Sequence, residues 1–211
     1  MSELTKTIAL LQARQEEDMS PEKARFILAF TRLLAEGKPV SPGRLAETIS
    51  QPVALVTTEF QQMEERGAQF NERGELIGAA LTLTPTRHQF VVDGAILYVW
   101  CALDALFLPA HIGKPARVVS TCPITGSILS LTISPGGIET FTPPEAVISV
   151  MTAEGCTIGI EGSFCSQVHF FASMDAANQW IGDRPDFAIL TVPEAYQLAQ
   201  QIYIEPVLKY A

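Results

Sequence analysis

The sequence has no run of apolar residues long enough to cross a membrane and no export signal. Its longest apolar runs, such as residues 95–103, fall well short of the ~20 residues that a membrane-spanning helix needs. The N-terminus, MSELTKTIALLQARQEED, lacks a basic region, and Gln12, Arg14 and Gln15 interrupt its apolar residues. We therefore expect a cytoplasmic protein with no membrane partner, whose thiols stay reduced.

The motifs of several large enzyme classes are also missing. The four cysteines, at positions 101, 122, 156 and 165, form no C-x-x-C pair, so neither a zinc ribbon nor a thioredoxin-type redox site is predicted. No G-x-S-x-G, P-loop, H-E-x-x-H or G-x-G-x-x-G occurs. Serine-hydrolase, zinc-protease and nucleotide-binding functions therefore have no support.

Positive charge is scarce, since 14 Lys and Arg residues stand against 23 Asp and Glu residues and give a net charge of -9. Such a charge argues against a general affinity for nucleic acid or for an anionic membrane. The chain of 211 residues, 47 % of them hydrophobic, is sufficient for a substantial core in one large domain or two small ones.

The N-terminal part of the chain, residues 1–84, is predicted to be a helical module. A loosely amphipathic helix over residues 2–18 precedes a strong helix that starts at Ser20 and Pro21. SPGRLAETIS and QPVALVTTEFQQMEERG predict two more helices, and a hairpin follows with its turn near residues 72–74. The last three helices and the hairpin follow the order of a winged helix-turn-helix.

The charges of this module do not suit DNA. Residues 22–66 carry six basic and six acidic side chains, and the helix that would enter a groove, residues 52–66, has three glutamates against the single Arg66. A DNA-reading helix needs Lys and Arg for phosphates and base edges. We therefore predict a module that serves packing, with no nucleic acid as a partner.

From residue 85 to residue 211 the pattern changes to short strands mixed with helices. HQFVVDGAILYVW predicts a hairpin around Asp93-Gly94, and ARVVSTCPITGSILSLTIS predicts a second one around Thr125-Gly126. AVISVMT and DFAILTV predict further strands. Helices are predicted at residues 101–108, 163–171, 174–182 and 193–204. The expected fold class is α+β, a winged-helix-like module followed by a mixed strand and helix domain.

Cys101 and Asp104 lie in one of the most apolar stretches of the chain, LYVWCALDALFLPA. If the stretch is helical, the two residues are i and i+3 on one face and within reach of each other. A helix N-terminus lowers the pKa of a thiol, whereas apolar surroundings raise the pKa of a carboxyl group. A carboxyl group poised nearer neutrality takes a proton from a thiol and passes it on. The alternative is a buried core cysteine beside an aspartate that caps a helix.

Cys165 lies at a change from glycine to predicted helix in EGSFCSQVHFFASM. A cysteine in such apolar surroundings is commonly a core residue. His169 follows four residues later, so a cysteine hydrolase is a second interpretation. The same spacing is generic for one face of a helix, which makes this interpretation weak.

Four blocks of the sequence together resemble the alkylmercury lyase family, the bacterial organomercurial lyases. The blocks are LYVWCALDALFLPAHIGKPARV, STCPITG, SLTISP and SFCSQVHFFAS. The resemblance runs from LLAEGKPVSPGRLAETI to DFAILTVPEAYQLAQ and covers most of the chain in the same order. The C-A-L-D block followed by F-C-x-x-V-H-F-F is its most specific part.

This resemblance implies an enzyme that cleaves the carbon–mercury bond of R–Hg(II) by protonolysis to R–H and Hg(II). It implies a winged-helix-like module followed by a catalytic domain, residues 85–211, unlike the common enzyme folds. It also implies that Cys101, Asp104 and Cys165 are the catalytic residues. The two cysteine thiolates would bind mercury, a soft metal that prefers sulfur ligands.

Three further positions are interpreted through the same resemblance. Cys122 matches a position that the family uses structurally. Ser166 stands where some relatives have a further cysteine, so an auxiliary thiol is missing while the catalytic trio is complete. Cys156 has no catalytic counterpart that we can assign.

In the resulting hypothesis, Asp104 takes a proton from one thiol as that thiol binds mercury, and then protonates the leaving carbon. No bound cofactor is expected because mercury is the substrate, and small thiols or mercuric reductase would take the Hg(II). The competing hypothesis is a non-catalytic mercury-binding or winged-helix regulatory protein. Asp104 favours the enzyme, because two thiols alone would hold Hg(II). The side chains predicted to surround the organic group and exclude water are Trp100, Leu103, Phe107 and Phe164.

Overall fold

The computed structural model describes residue 9, residue 13 and residues 19–152 and 165–211. In this described part of the chain, no helix is both long and apolar enough to span a membrane. Three predicted features lie outside the described residues, namely most of the helix over residues 2–18, Cys156 and Phe164.

Three helices open the continuous part of the described chain: α1 (Pro21–Leu34), α2 (Pro42–Ile49) and α3 (Val53–Glu65). Ser20 and Ser41 cap the first two, since their side chains accept hydrogen bonds from the backbone N–H groups of Lys23 and Arg44. A proline follows each capping serine and suits the first helical position. The two Ser-Pro helix starts predicted from the sequence are confirmed.

The strands form two antiparallel sheets. The larger sheet has the order β1-β2-β3-β5-β4-β6-β7-β8, and the smaller one has the order β10-β9-β11. The coarse prediction of a fold that mixes helices with strands is therefore confirmed. The strands are β1 (Gln69–Phe70), β2 (Leu76–Ala79), β3 (Leu81–Thr82), β4 (His88–Val92), β5 (Ala95–Val99), β6 (Ala116–Thr121), β7 (Ile128–Ser134), β8 (Gly137–Thr142), β9 (Val147–Met151), β10 (Phe170–Phe171) and β11 (Phe187–Thr191).

The two predicted hairpins of the larger sheet are confirmed. Asp93 and Gly94, with φ of 48° and 80°, join β4 to β5, and Gly126, with φ of 71°, lies in the turn between β6 and β7. A positive φ at these turns suits glycine, which has no Cβ. Strand β8 was not predicted, because GIETFT is mostly half-exposed or exposed at the sheet edge and shows no regular apolar alternation.

Helix α4 (Ala102–Ile112) is buried along its whole length of 11 residues. It packs against α1 and against strands β4, β5 and β7. The helix predicted over residues 101–108 is confirmed, and it continues through Pro109 to end at Gly113, whose φ is 79°. A helix that is apolar on all sides belongs in the interior of a protein. The side chains at the N-terminus of α4 therefore lie next to the core.

Three helices lie in the C-terminal part of the chain, and the second of them packs against α4. They are α5 (Met174–Ile181), α6 (Val192–Ala199) and α7 (Glu205–Leu208), with a π-helical turn (Gln200–Ile204) between the last two. Ser173 and Thr191 cap α5 and α6 through their hydroxyl groups. The helices predicted at residues 174–182 and 193–204 are confirmed, the second with a π-helical end.

Residue 165 is helical, but the helix predicted over residues 163–171 is wrong for residues 166–171. Phe170 and Phe171 form β10, which pairs with Ile148 and Val147 of β9. Both phenylalanine side chains are fully buried. Consecutive side chains of an extended segment point to opposite faces, so both rings reach the core, which a single helix face does not allow.

Candidate active site

Strand β5 leads to the N-terminus of α4, and Cys101 is the residue that caps this helix. The Sγ atom of Cys101 accepts a hydrogen bond from the backbone N–H of Asp104. In return, the Cys101 N–H donates to Asp104 Oδ2 over 2.9 Å. This reciprocal capping box satisfies two N–H groups at the helix start. It also fixes a thiol and a carboxylate beside each other.

Residues 165–169, here called the Cys165 segment, reach the start of α4 through a hydrogen bond between distant parts of the backbone. The N–H of Ala102, the first residue of α4, donates to the carbonyl oxygen of Val168 over 3.1 Å. The N–H of Val168 donates to the carbonyl oxygen of Cys165 over 3.4 Å, so the segment turns back on itself. The start of α4 and the Cys165 segment are therefore joined directly.

The two thiols and the carboxylate form one cluster. The Sγ atoms of Cys101 and Cys165 and a carboxylate oxygen of Asp104 all lie within 4.8 Å of one another. Cys101 and Asp104 have only 1 % and 5 % of their surface exposed, whereas Cys165 is half-buried. Both cysteines are free thiols. In the described chain, this is the one group of three or more His, Cys, Asp or Glu residues close enough to share a metal ion.

Burial raises the proton affinities of two members of the cluster, Asp104 and Cys101. It raises the pKa of Asp104 from 3.8 to about 6, although hydrogen bonds from Cys101 and Trp100 act in the opposite direction. Burial also raises the pKa of the Cys101 thiol well above its usual range, and the Cys165 thiol and the charge of Asp104 add to the effect. The prediction of a lowered pKa for Cys101 at the helix N-terminus is therefore wrong, because burial outweighs the Asp104 N–H donor. At neutral pH the site places an ionised carboxylate beside a protonated thiol.

The apolar residues predicted to surround a substrate differ in burial and in the side chains that they contact. Leu103 and Phe107 belong to α4 and are 2 % and 7 % exposed. The Phe107 ring stacks on Tyr203, with 4.9 Å between the ring centroids. Trp100 is half-buried, and its Nε1 atom has no hydrogen-bond partner in the described chain. Phe164 lies outside that part, so contacts of these side chains with an organic group stay predictions.

His169 is not part of the cluster of sulfur and carboxylate atoms. Its ring packs edge-on against Trp180 at 5.2 Å and lies 6.5 Å from the ring of His88, both measured between centroids. Burial lowers the pKa of His169 to about 4, so the ring is neutral at pH 7. An aromatic packing position gives no support to a cysteine hydrolase built on His169 and Cys165.

Cys122 lies in the turn between β6 and β7. Its N–H donates to the carbonyl oxygen of Ser127 over 2.9 Å, and its own carbonyl accepts from Gly126 over 3.0 Å. The residue is 1 % exposed and does not belong to the cluster. These bonds suit a residue that stabilises the turn, and its structural role stays a prediction.

Comparisons with known proteins agree on one family. The MerB family model, described as alkylmercury lyase, matches residues 81–204, which include all three residues of the cluster. An alkylmercury lyase of Streptomyces lividans is 39 % identical over 171 residues, which cover 81 % of this chain and 78 % of that protein. An alkylmercury lyase of Bacillus cereus is 33 % identical over 200 residues, or 94 % of this chain and 90 % of that protein. One of Pseudomonas putida is 39 % identical over 181 residues, with coverages of 86 % and 84 %.

A solved structure has the same fold. The crystal structure of the mercury-bound form of MerB2 matches with a TM-score of 0.77 and covers 96 % of this chain and 99 % of that chain. The identity between the two is 20 %, so this likeness shows the fold alone. The kinship rests on the family match and on the sequence identities along most of the chain, and by both this chain belongs to the alkylmercury lyase (MerB) family.

Proposed function

We propose that this protein is an organomercurial lyase, an enzyme that breaks the carbon–mercury bond of R–Hg(II) by protonolysis and yields R–H and Hg(II). The observation that carries the proposal is the buried carboxylate of Asp104, with an oxygen within 4.8 Å of both Sγ atoms of the cluster. Two thiols suffice to hold a soft metal, but cleavage also needs a proton for the leaving carbon. The cluster supplies both.

The reaction begins when one thiol, of Cys101 or Cys165, bonds to mercury and gives its proton to Asp104. The carboxylate is ionised at neutral pH because its pKa is about 6, and it lies within reach of both sulfurs. The second thiol then bonds to mercury and releases its proton to solvent. Asp104 passes its proton to the carbon as the carbon–mercury bond breaks. R–Hg⁺ and two thiols thus give R–H, one Hg(II) held by two thiolates, and one H⁺.

Burial supports the two proton transfers that involve Asp104. The raised pKa of Cys101 keeps its thiol protonated until mercury competes for the sulfur, so a base at Asp104 is needed. The raised pKa of Asp104 then lets the same carboxyl group carry the proton to the carbon. The residues proposed to surround the organic group and exclude water are Trp100, Leu103, Phe107 and Phe164.

Product transfer and the cellular setting complete the proposal. Hg(II) stays on Cys101 and Cys165 until small thiols or mercuric reductase take it, because a soft metal exchanges between sulfur ligands. No bound cofactor takes part, since mercury itself is the substrate. We place the reaction in the cytoplasm, where thiols stay reduced. The net charge of -9 supports a protein with neither nucleic acid nor a membrane as a partner.

We also propose that residues 1–84 form a winged-helix-like packing module in front of a catalytic domain over residues 85–211. Helices α1 to α3 and the β1–β2 hairpin follow in the order of such a module. The ring of Phe60 lies 6.5 Å from that of Phe26 and 5.2 Å from that of Phe70. One aromatic cluster thus joins α1, α3 and the hairpin, which supports a role in packing.

The test is headspace gas chromatography of the hydrocarbon that wild type and Asp104→Ala release from phenylmercury and methylmercury with excess thiol. We expect many turnovers of benzene or methane from wild type. We expect a rate at least ~100-fold lower from Asp104→Ala, the usual loss when a general acid is removed, while Hg(II) binding persists. Cys122→Ala is the matched control, since it removes a buried thiol outside the cluster and should retain the rate per folded molecule.

The second candidate function is a mercury-binding protein without turnover, favoured only by the paired thiols of Cys101 and Cys165. Tight Hg(II) binding with no hydrocarbon from wild type would establish it and refute the lyase. Cys101→Ser and Cys165→Ser should each lose both hydrocarbon release and two-sulfur binding, because serine does not replace a thiolate at a soft metal.

A further inference from the structure

The Cys165 segment depends on other parts of the protein for its position. Residues 166–169 belong to neither a helix nor a strand. One hydrogen bond from Ala102 to Val168 attaches the segment to α4. Val168 is buried in the core, and the ring of His169 packs against Trp180. Further hydrogen bonds to the backbone of this segment come from Ser149 of β9, a residue that no sequence motif singles out.

Ser149 makes three hydrogen bonds to this segment. Its Oγ atom donates to the carbonyl oxygen of Gln167 over 2.8 Å and accepts from the N–H of His169 over 3.1 Å. Its backbone N–H donates to the carbonyl oxygen of His169 over 3.1 Å. The residue is 0 % exposed. Loss of the hydroxyl would therefore leave the carbonyl of Gln167 and the N–H of His169, both part-buried, without this hydrogen-bond partner and favour a shift of the segment.

We propose that Ser149 is a positioning residue of the lyase, which sets the distance between the two sulfurs by holding the Cys165 segment; this inference rests on the function proposed above. Cys101 is the fixed half of the pair, because its capping box belongs to a fully buried helix. Cys165 is the adjustable half, two residues from the carbonyl group that Ser149 holds. Ser149 acts on the reaction only through Cys165.

The chemistry of the hydroxyl makes the role specific. A serine or threonine hydroxyl donates one hydrogen bond and accepts others at the same time, whereas alanine and valine side chains do neither. A single thiolate still captures the organomercurial when the segment shifts, so KM changes little. The second mercury–sulfur bond and the approach to Asp104 need both sulfurs in place, so kcat falls by ~10–100-fold, as for a misplacement of about 1 Å.

The test compares Ser149→Ala and Ser149→Thr with wild type and with Thr82→Val. Thr82 is a matched control because it is also 0 % exposed, and its hydroxyl donates to Gln69 and accepts from the N–H of Thr84. The measurements are kcat and KM for hydrocarbon release, the ultraviolet charge-transfer band of Hg(II) bound by two thiolates, and Tm. We expect Ser149→Ala to lose kcat and the band. Ser149→Thr and Thr82→Val should keep both.

Two results would overturn the proposal. One is an unchanged kcat and charge-transfer band in Ser149→Ala. The other is a loss of kcat in Ser149→Ala and Thr82→Val alike, in proportion to their loss of Tm. If Ser149→Ala does not fold, Ser149→Thr and Ser149→Val give the same comparison, because these two side chains have similar shape, suit a strand and differ in the hydroxyl.

Failure of this inference is distinguishable from failure of the proposed function. A wild-type protein that binds Hg(II) through two sulfurs but releases no hydrocarbon refutes the lyase. The charge-transfer band still reports whether Ser149 holds the two sulfurs together in that case.

Discussion

The carboxylate of Asp104 accepts a hydrogen bond from the backbone N–H of Cys101 over 2.9 Å, while the Cys101 sulfur accepts one from the N–H of Asp104. The bonds that cap α4 are thus the bonds that place a base beside a thiol. Because the cap belongs to the fold, this pair is in place before a substrate arrives. The response of the protein to pH follows from the same burial that raises both pKa values.

The first prediction concerns the dependence of the reaction on pH. Asp104 must be ionised to accept a proton, and its pKa of about 6 leaves it mostly protonated at about pH 5. We expect kcat/KM to fall about tenfold per pH unit below this pKa and to be level through neutrality. Hydrocarbon release at low substrate concentration, measured from about pH 4.5 to about pH 8, gives the profile. A limb centred near or above about pH 8 would assign the controlling ionisation to a thiol instead.

The second prediction concerns the free energy of unfolding of Asp104→Asn. We expect it to increase relative to that of wild type when the pH is raised from acid to neutral. The pKa of Asp104 is raised from 3.8 to about 6 on folding, so the native state binds the proton more tightly than the unfolded state. This contribution to stability is fully present below about pH 4 and is lost as the pH rises through about 6. A shift of about two units corresponds to about 3 kcal/mol.

Asparagine does not ionise, so the variant escapes that loss. Urea unfolding gives the free energy of unfolding of both proteins at about pH 4 and about pH 7. The difference between variant and wild type should change by up to about 3 kcal/mol between these two pH values. An identical difference at both pH values would show that folding leaves the proton affinity of Asp104 unchanged.

The third prediction separates the lyase from a cysteine hydrolase. His169→Phe removes both ring nitrogens but keeps an aromatic ring to pack against Trp180. Hydrocarbon release should stay close to the wild-type rate, because the neutral imidazole takes no part in the proposed proton transfer. Cys165→Ser, assayed beside it, should lose both mercury binding by two sulfurs and turnover. A His169→Phe protein that binds mercury normally but is inactive would return the imidazole to the mechanism.

The proximity of Cys101 and Asp104 could be predicted from local spacing in the sequence, whereas the approach of Cys165 to them could not. Cys101 and Asp104 are i and i+3, so helical geometry alone brings them together. Cys165 reaches them through the bond between Val168 and Ala102, which joins segments far apart in the chain. The spacing of residues does not indicate such a contact. That Cys165 belongs to the site was predicted from the resemblance to a family. The lowered pKa predicted for Cys101 failed because burial, unlike a helix start, depends on the whole fold.

The same distinction explains the errors in secondary structure. The Ser-Pro helix starts and the glycine turns have local causes, and they were predicted. Strand β10 exists because Phe170 and Phe171 pair with β9, a partner that the sequence around them does not indicate. Ser149 was missed for a similar reason, since its importance comes from the backbone groups of Gln167 and His169 rather than from a motif.

The contact between Cys101 and Cys165 has a consequence for the cohesion of the molecule. Mercury held by both sulfurs ties the start of α4 to the chain just before β10 and so closes a long loop. A tie of this kind restricts the unfolded chain as a disulfide does, and a ligand retained by the native state opposes unfolding by mass action. In the proposed reaction, the Hg(II) product therefore cross-links two segments of the protein at the end of each turnover and stabilises its fold. The external thiol that removes Hg(II) would also remove this additional stabilisation before the next cycle.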